Sequence, residues 1–440
     1  MASPSERCGR IVIARQFIAL VRAYWRGVIV SETGMTEAYD VITIGGGLAG
    51  AALAKRLAEN GMRVLVLERE VAFRDRVRGE QMHSWGVAEA RTLGLYELLL
   101  ETCGHEVRYW SDQLVGFSEF GRRDLVKTSP HRAGSLNFYH PDMQAVVIGA
   151  AASAGATVRR GARVVELISN GLPGVRVHED INGERVYRAR LVVGADGRNS
   201  ACRRWGGFHV ERDSEGMVIA GLLMQGLAAP EDRMSASVNP RRSMISLTVP
   251  LGAGRFRAYV SIHKDAIEST AAPLSGEANF PAFLAASIAS GAPSEWYEGA
   301  RAAGPLASYD ARDTWVSHPH RAGVVLIGDA AASNDPSWGC GLSLTLRDVR
   351  VLADKLLASD DWSGAADDYA EEHDRHYGVI HRLTGWARAL FYHPSLVAAA
   401  VRESALTRLV ADRTRSLDIV GIGPDFPCDE TTRRRFFGED

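Results

Sequence analysis

The stretch that most limits what this chain can become is Asp40-Val-Ile-Thr-Ile-Gly-Gly-Gly-Leu-Ala-Gly, residues 40–50. The β-branched run from Tyr39 to Ile44 reads as a buried parallel strand, and Leu48 to Asn60 as a small-faced helix that Gly61 closes. Arg63-Val-Leu-Val-Leu is a second buried strand, ending in Glu68. Gly45-x-Gly47-x-x-Gly50 therefore sits at the first strand-to-helix turn of a β-α-β unit. Gly45 makes the tight turn, Gly47 lets the backbone approach a pyrophosphate, and Gly50 lets helix and strand pack closely. Leu48 and Ala49 open the helix, whose free N–H groups and positive end suit phosphates. Glu68, followed by Arg69, stands about 20 residues on, where a carboxylate accepts ribose hydroxyls. The unit predicts a dinucleotide site and, alone, leaves NAD and FAD equally open.

Two later segments bear on that choice. Residues 189–203 read Ala-Arg-Leu-Val-Val-Gly-Ala-Asp-Gly-Arg-Asn-Ser-Ala-Cys-Arg. A buried strand there runs into a turn at Asp196-Gly197, with Ser200 and Arg203 on a short helix behind it. Near residue 325, another buried strand ends in the turn Gly328-Asp329, followed by Pro336-Ser-Trp-Gly339-Cys-Gly341 and a helix over Leu342–Leu357. The order GxGxxG, then G-A-D-G-x-x-S-x-x-R, then G-D-A-A…P-x-x-G-x-G resembles the single-component FAD-dependent (class A) monooxygenases, the relatives of p-hydroxybenzoate hydroxylase. The resemblance covers about residues 35–385.

It implies an α/β fold: a Rossmann-like FAD-binding domain interleaved with a mixed, mostly antiparallel sheet for the substrate, then a C-terminal helical segment. The expected division is 1–37 extension, 38–110, 136–206 and 313–358 FAD-binding, 111–135 and 207–312 substrate domain, and 359–440 helices and tail. The resemblance further implies that Asp329 binds the ribityl chain and that Asp196 and Gly197 lie where flavin and nicotinamide meet. It puts Gly328, Gly339, Gly341 and Leu342 at the flavin, and Arg78 at the side of the cofactor. A helix N-terminus at Gly341 would stabilise an anionic reduced ring. His140 and Gln144 stand at a helix start where the family usually carries R-x-x-L. Ala332 and Asp335 also depart from the family, replacing a histidine and a proline.

The activity so implied is oxidation of NADH or NADPH with O₂, through a flavin C4a-hydroperoxide, to hydroxylate or epoxidise a small organic substrate, aromatic or polyketide-like. Pro336, Trp338 and Gly339 are placed beside the reacting face. His83, His105, His131 and His263 are candidates for orienting or deprotonating substrate, against a structural role for each. Rival readings are a flavin-dependent halogenase, a prenyl-chain reductase and a non-enzymatic FAD-binding sensor. A halogenase needs a catalytic lysine after the first unit, and residues 68–134 hold only Lys127.

The remaining composition mostly excludes. A net charge of −2 over 440 residues gives no reason to expect a nucleic-acid partner. Five scattered cysteines suggest neither a zinc site nor a disulfide framework, and fit a reducing cytoplasm. Residues 9–26 are apolar but broken by Arg15, Arg22 and Arg26, which rules out a transmembrane span. Met35 reads as a natural start, with residues 1–34 an upstream extension or an interfacial amphipathic helix. Residues 155–193 alternate as strands, with a hairpin at Asn182-Gly183, and Gly216–Met224, Ser243–Val249 and Phe256–His263 continue the pattern. Pro250–Gly254 reads as a hairpin loop. Trp362 to Leu409 is helical and amphipathic, and Arg433–Arg435 with Phe436-Phe437 reads as a docking tail. The oligomeric state is left open.

Overall fold

A computed structural model describes residues 38–440 except 78, 117–120, 180–182 and 270–273. The N-terminal extension and Arg78 therefore lie outside the described residues.

The first sheet is built on five parallel strands in the spatial order 324–326, 183–194, 38–44, 64–68, 157–160. Their near-continuous apolar composition follows from burial on both faces. The helices Leu48–Ala58, His140–Ser153 and Gly341–Ala358 cover one face. Strands Ala162–Ile168 and Gly174–Glu179 fold over the other, the latter pairing antiparallel with the long strand Gly183–Gly194. The first helix ends at Ala58, two residues before the expected Asn60. Gly61, at φ +80°, then turns the chain into the next strand.

The second sheet runs 301–302, 217–225, 255–263, 244–252, 233–239, 109–114, 121–124, with 307–310 also beside 217–225. All but one of these pairings are antiparallel; Arg233–Asn239 runs parallel to Tyr109–Leu114. The loop expected at Pro250–Gly254 is largely strand, because Met244–Gly252 continues through a bulge and leaves only Ala253-Gly254 to turn. The Pro250 carbonyl accepts from the Asn137 amide at 3.0 Å.

The helical C-terminal region is two helices, Trp362–Phe391 and Leu396–Ala411, broken around Pro394. The tail docks on the molecule itself. Glu430–Phe437 is a helix whose Phe436 is 2% exposed, packed edge-on to Phe391 against the second sheet. No helix of the described residues is long and apolar enough to cross a membrane.

Candidate active site

The three sequence motifs meet for a simple reason of register. Ile44 is paired with Gly194, and Gly194 with Leu326, so three neighbouring parallel strands stop at one level. The turns that follow all emerge at the same sheet edge, the usual ligand side of an open α/β sheet. Gly45 turns at φ +104°, and a Cβ there would stand 2.3 Å from the Ala195 carbonyl oxygen. A Cβ on Gly50 would stand 2.0 Å from the Gly45 carbonyl oxygen. Gly47 differs: only the Gln144 amide nitrogen, at 3.3 Å, would meet a Cβ, so the outer surface of the loop is open.

Side chains behind the turns fix their shape. Arg203 donates to the carbonyls of Asp329 (2.6 Å) and Ala330 (2.7 Å), tying the second motif to the third. The Asp348 carboxylate accepts from the Gly328 N–H at 2.8 Å, and on its other oxygen from His373 and His376, each at 2.9 Å. Those two imidazoles hold the buried carboxyl well below the usual carboxylate range despite its burial. The Glu68 carboxylate accepts from the N–H groups of Gly46 and Glu70, both at 2.7 Å. Asp196 caps the helix Ala201–Trp205, its Oδ2 accepting from Ala201 at 2.7 Å and Cys202 at 3.1 Å. Its Oδ1 is buried without a partner.

These turns line a cleft of about 790 Å³. Gly45, Gly47, Leu48, Ala49, Glu68, Arg69, His140, Gln144, Asp196, Gly197, Asp329, Pro336, Gly339, Gly341 and Leu342 all reach it. Gly50 and Gly328 do not; they lie beneath the surface and shape the turns. His140 accounts for part of its position by an Nδ1 contact of 2.7 Å to the Gly79 carbonyl. The helix Gly341–Ala358 points its N-terminus at the cleft, with Gly341 and Leu342 on its wall. The open backbone at Gly47, the orphaned Asp196 oxygen, the Asp329 carboxyl and that helix end form a donor and acceptor set that fits FAD.

Trp338 is the expected residue that faces elsewhere. In the single turn Pro336–Trp338, Pro336 reaches the cleft, whereas the indole packs against Phe391 and Tyr392. There it walls a second cavity of about 110 Å³, between the antiparallel sheet and the C-terminal helices. None of the four candidate histidines lines either cavity. His83 is fully buried and donates from Nε2 to the Trp338 carbonyl at 2.6 Å, bracing that turn. Burial pushes its pKa down to about 4, so the ring is neutral. His105 is held by the Glu231 carbonyl at 2.8 Å and His263 packs against the His393 ring at a tilt of 57°, while His131 is half-buried.

Sequence reasoning missed a buried cluster on the cleft wall. Tyr259 donates to the Glu80 carboxylate, Arg257 approaches Glu80 at 3.1 Å, and the Arg257 Nη2 donates to both Asp75 oxygens at 2.8 Å. Arg257 has no exposure at all. Burial raises the pKa of Glu80, against the pull of Arg257, and raises that of the Tyr259 phenol. The legible signal was an arginine at the centre of an otherwise core strand, Arg255-Phe-Arg-Ala-Tyr259.

The family described as an FAD binding domain matches residues 38–375. Rifampicin monooxygenase of Streptomyces venezuelae is 31% identical over 347 residues, covering 76% of this chain and 68% of that one. Among solved structures, p-nitrophenol 4-monooxygenase PnpA of Pseudomonas putida DLL-E4 superposes with a TM-score of 0.71 at 17% identity, over 86% of this chain and 96% of that one. The flavin-dependent brominase Bmp2 gives 0.69 at 18% identity, over 92% and 98%. At those identities the two structures speak for the fold alone. With the matched family, the close relative and the cleft in agreement, the chain belongs to the class A FAD-dependent monooxygenases.

Proposed function

We propose that this monooxygenase oxidises a small organic substrate, aromatic or polyketide-like, lying on the antiparallel sheet beside the Pro336–Trp338 turn. The convergence of three strand-end turns on one cleft whose far wall is that sheet carries the reading. Bound FAD supplies the redox chemistry, taking electrons from NAD(P)H and passing one oxygen atom of O₂ to the substrate.

The chain's own residues hold and enclose. Gly45–Gly50 and the first helix end take the pyrophosphate, Glu68 the adenosine ribose, and Asp329 the ribityl hydroxyls. The Gly341 helix end favours negative charge on the flavin's pyrimidine side. His83, through the Trp338 carbonyl, keeps Pro336 and Gly339 fixed beside the reacting position. The sheet floor contributes Ile219, Leu247 and Val249, whose apolar surface excludes water from that position. No lysine of the described residues lines either cavity, and Lys127 is exposed on a short helix, which disfavours a halogenase.

Purified protein should show a visible flavin spectrum, and ring-bearing compounds should stimulate its NAD(P)H consumption, yielding a product one oxygen atom heavier. Failure to bind FAD at micromolar concentration would overturn the reading; halide-dependent turnover would redirect it to halogenation, and anaerobic turnover to a reductase.

A further inference from the structure

The register of the second sheet places one line of residues across both cavities. Asp112 is paired with Ala236, Ala236 with Leu247, Leu247 with Tyr259, and Tyr259 with Gly221. Residues opposite one another in a sheet project to the same face. Asp112 and Ala236 line the small cavity, Leu247 lines both, and Tyr259 lines the flavin cleft. Gly221 leaves the room that the Tyr259 ring fills, since a Cβ there would stand 2.5 Å from it. The next line along the strands is Leu114, Val238, Ile245, Ser261. Ser261 holds the Ser337 hydroxyl at 2.8 Å. The Pro336–Trp338 turn is therefore pinned onto this same floor, between the cleft and the small cavity.

The small cavity is aromatic and nearly apolar, walled by Trp110, Trp338, Phe391, Tyr392 and Phe436. Asp112 is the one acidic side chain in that lining, which also holds Gln113, Ser337, Ser416 and the Tyr392 hydroxyl. The Trp110 indole donates to its Oδ1 at 2.6 Å. Of the nearest cations, Arg123 is paired with Asp418 at 2.5 and 2.8 Å, and Arg413 attracts the Asp112 carboxylate electrostatically. A carboxyl in such a wall has acceptor capacity beyond the single indole bond. Three inter-strand steps separate Asp112 from Tyr259, about 14 Å between Cα atoms.

We infer that this cavity is a distal subsite for one ring of the substrate, with Asp112 the acceptor for an O–H or N–H donor on that ring. The inference rests on the monooxygenase reading of the adjoining cleft and names its substrate class: fused-ring aromatic or conjugated compounds of two or three rings, bearing a hydroxyl or amine at the far end and no carboxylate there. A cavity of about 110 Å³ takes a single ring, and the remaining length lies over Leu247 toward the cleft. An anionic group at the far end would meet the Asp112 carboxylate in a low-dielectric wall and be refused. Burial raises the Asp112 pKa to about 6, so the acceptor is ionised in mildly alkaline buffer.

The test is equilibrium dialysis of the FAD-loaded protein against 2-naphthol and 2-naphthoate at about pH 8, where only the naphthoate is anionic. The naphthol should bind at least about tenfold more tightly, the worth of one hydrogen bond to a charged acceptor. Asp112→Asn, which keeps the volume and the contact with Trp110, should reduce that preference to less than about threefold. Equal affinities in the unaltered protein, or an unchanged ratio in the variant, would overturn the inference. Should Asp112→Asn not fold, Ala236→Leu narrows the same cavity and must weaken naphthol binding for the subsite to stand. The two readings fail separately: FAD-loaded protein that oxidises NADPH yet shows no naphthol preference sinks the subsite alone, and FAD-loaded protein that keeps the preference but consumes no NAD(P)H or O₂ with any ring-bearing compound sinks the monooxygenase reading alone.

Discussion

Replacing Gly50 by alanine is the sharpest test of how the cleft is built. The new Cβ would lie 2.0 Å from the Gly45 carbonyl oxygen. An ordinary carbon–oxygen contact is about 3.3 Å, so loop and helix must separate by about 1.3 Å. Neither atom belongs to a flexible side chain, and the neighbouring Ala195 Cβ, at 3.3 Å, blocks an easy sideways shift. Overpacking of that kind costs about 3 kcal/mol, and the better helix propensity of alanine returns about 1 kcal/mol. The net is about 2 kcal/mol of lost stability. Gly47→Ala is the matched control, because its Cβ meets only the Gln144 side chain, and its φ of −69° suits alanine. That variant should keep its stability within about 0.5 kcal/mol, yet lose at least about tenfold in FAD affinity, since the methyl stands where the pyrophosphate approaches. Urea unfolding without added FAD reads the first effect, and titration with FAD the second. Equal destabilisation by the two substitutions, or a Gly50→Ala protein as stable as the parent, would refute the reasoning.

Asp329→Ala should purify with little or no bound flavin, read from the ratio of visible to ultraviolet absorbance; a normal ratio would falsify its assigned role. Asp313 is fully buried beside Asp335, and burial first, then that neighbour, raises its pKa to about 6. Its folded-state pKa exceeds the unfolded value, so the stabilising proton is lost as pH rises through 6. Between about pH 5 and pH 8 this group alone should remove about 1.4 kcal/mol, a loss that Asp313→Asn abolishes, as urea midpoints at the two pH values will show. Arg257→Met should cost about 3–5 kcal/mol, because it strands two buried carboxylates. Glu80→Gln leaves Arg257 and Asp75 as a neutral pair and should cost less than about 1 kcal/mol; thermal unfolding of both variants checks the order.

The sequence alone determined the cofactor fold and most of its turns. Gly45, Gly50, Asp196, Gly328 and Asp329 are legible because a turn at a strand end obeys local rules: a left-handed φ, a missing Cβ, a capping carboxyl. The central strands were equally plain from their β-branched runs. Arg233–Asn239 and Tyr109–Leu114 were missed: Arg-Met-Ser-Ala-Ser-Val-Asn alternates but has Val238 as its one β-branched residue, and in Tyr-Trp-Ser-Asp-Gln-Leu the apolar face is interrupted by Asp112. For Trp338 a place beside the reacting position and a packing role are equal readings of the sequence, and its indole packs against Phe391 and Tyr392 at the other cavity. Register and packing between distant segments decided the rest. The pairing of Glu80 with Tyr259, the bracing of Trp338 by His83 across 255 residues, and the line from Asp112 to Tyr259 depend on which strand lies beside which. A local rule fixes how a turn is made; only the long-range contacts fix what it faces, because their energy belongs to pairs of residues that sequence distance leaves unspecified.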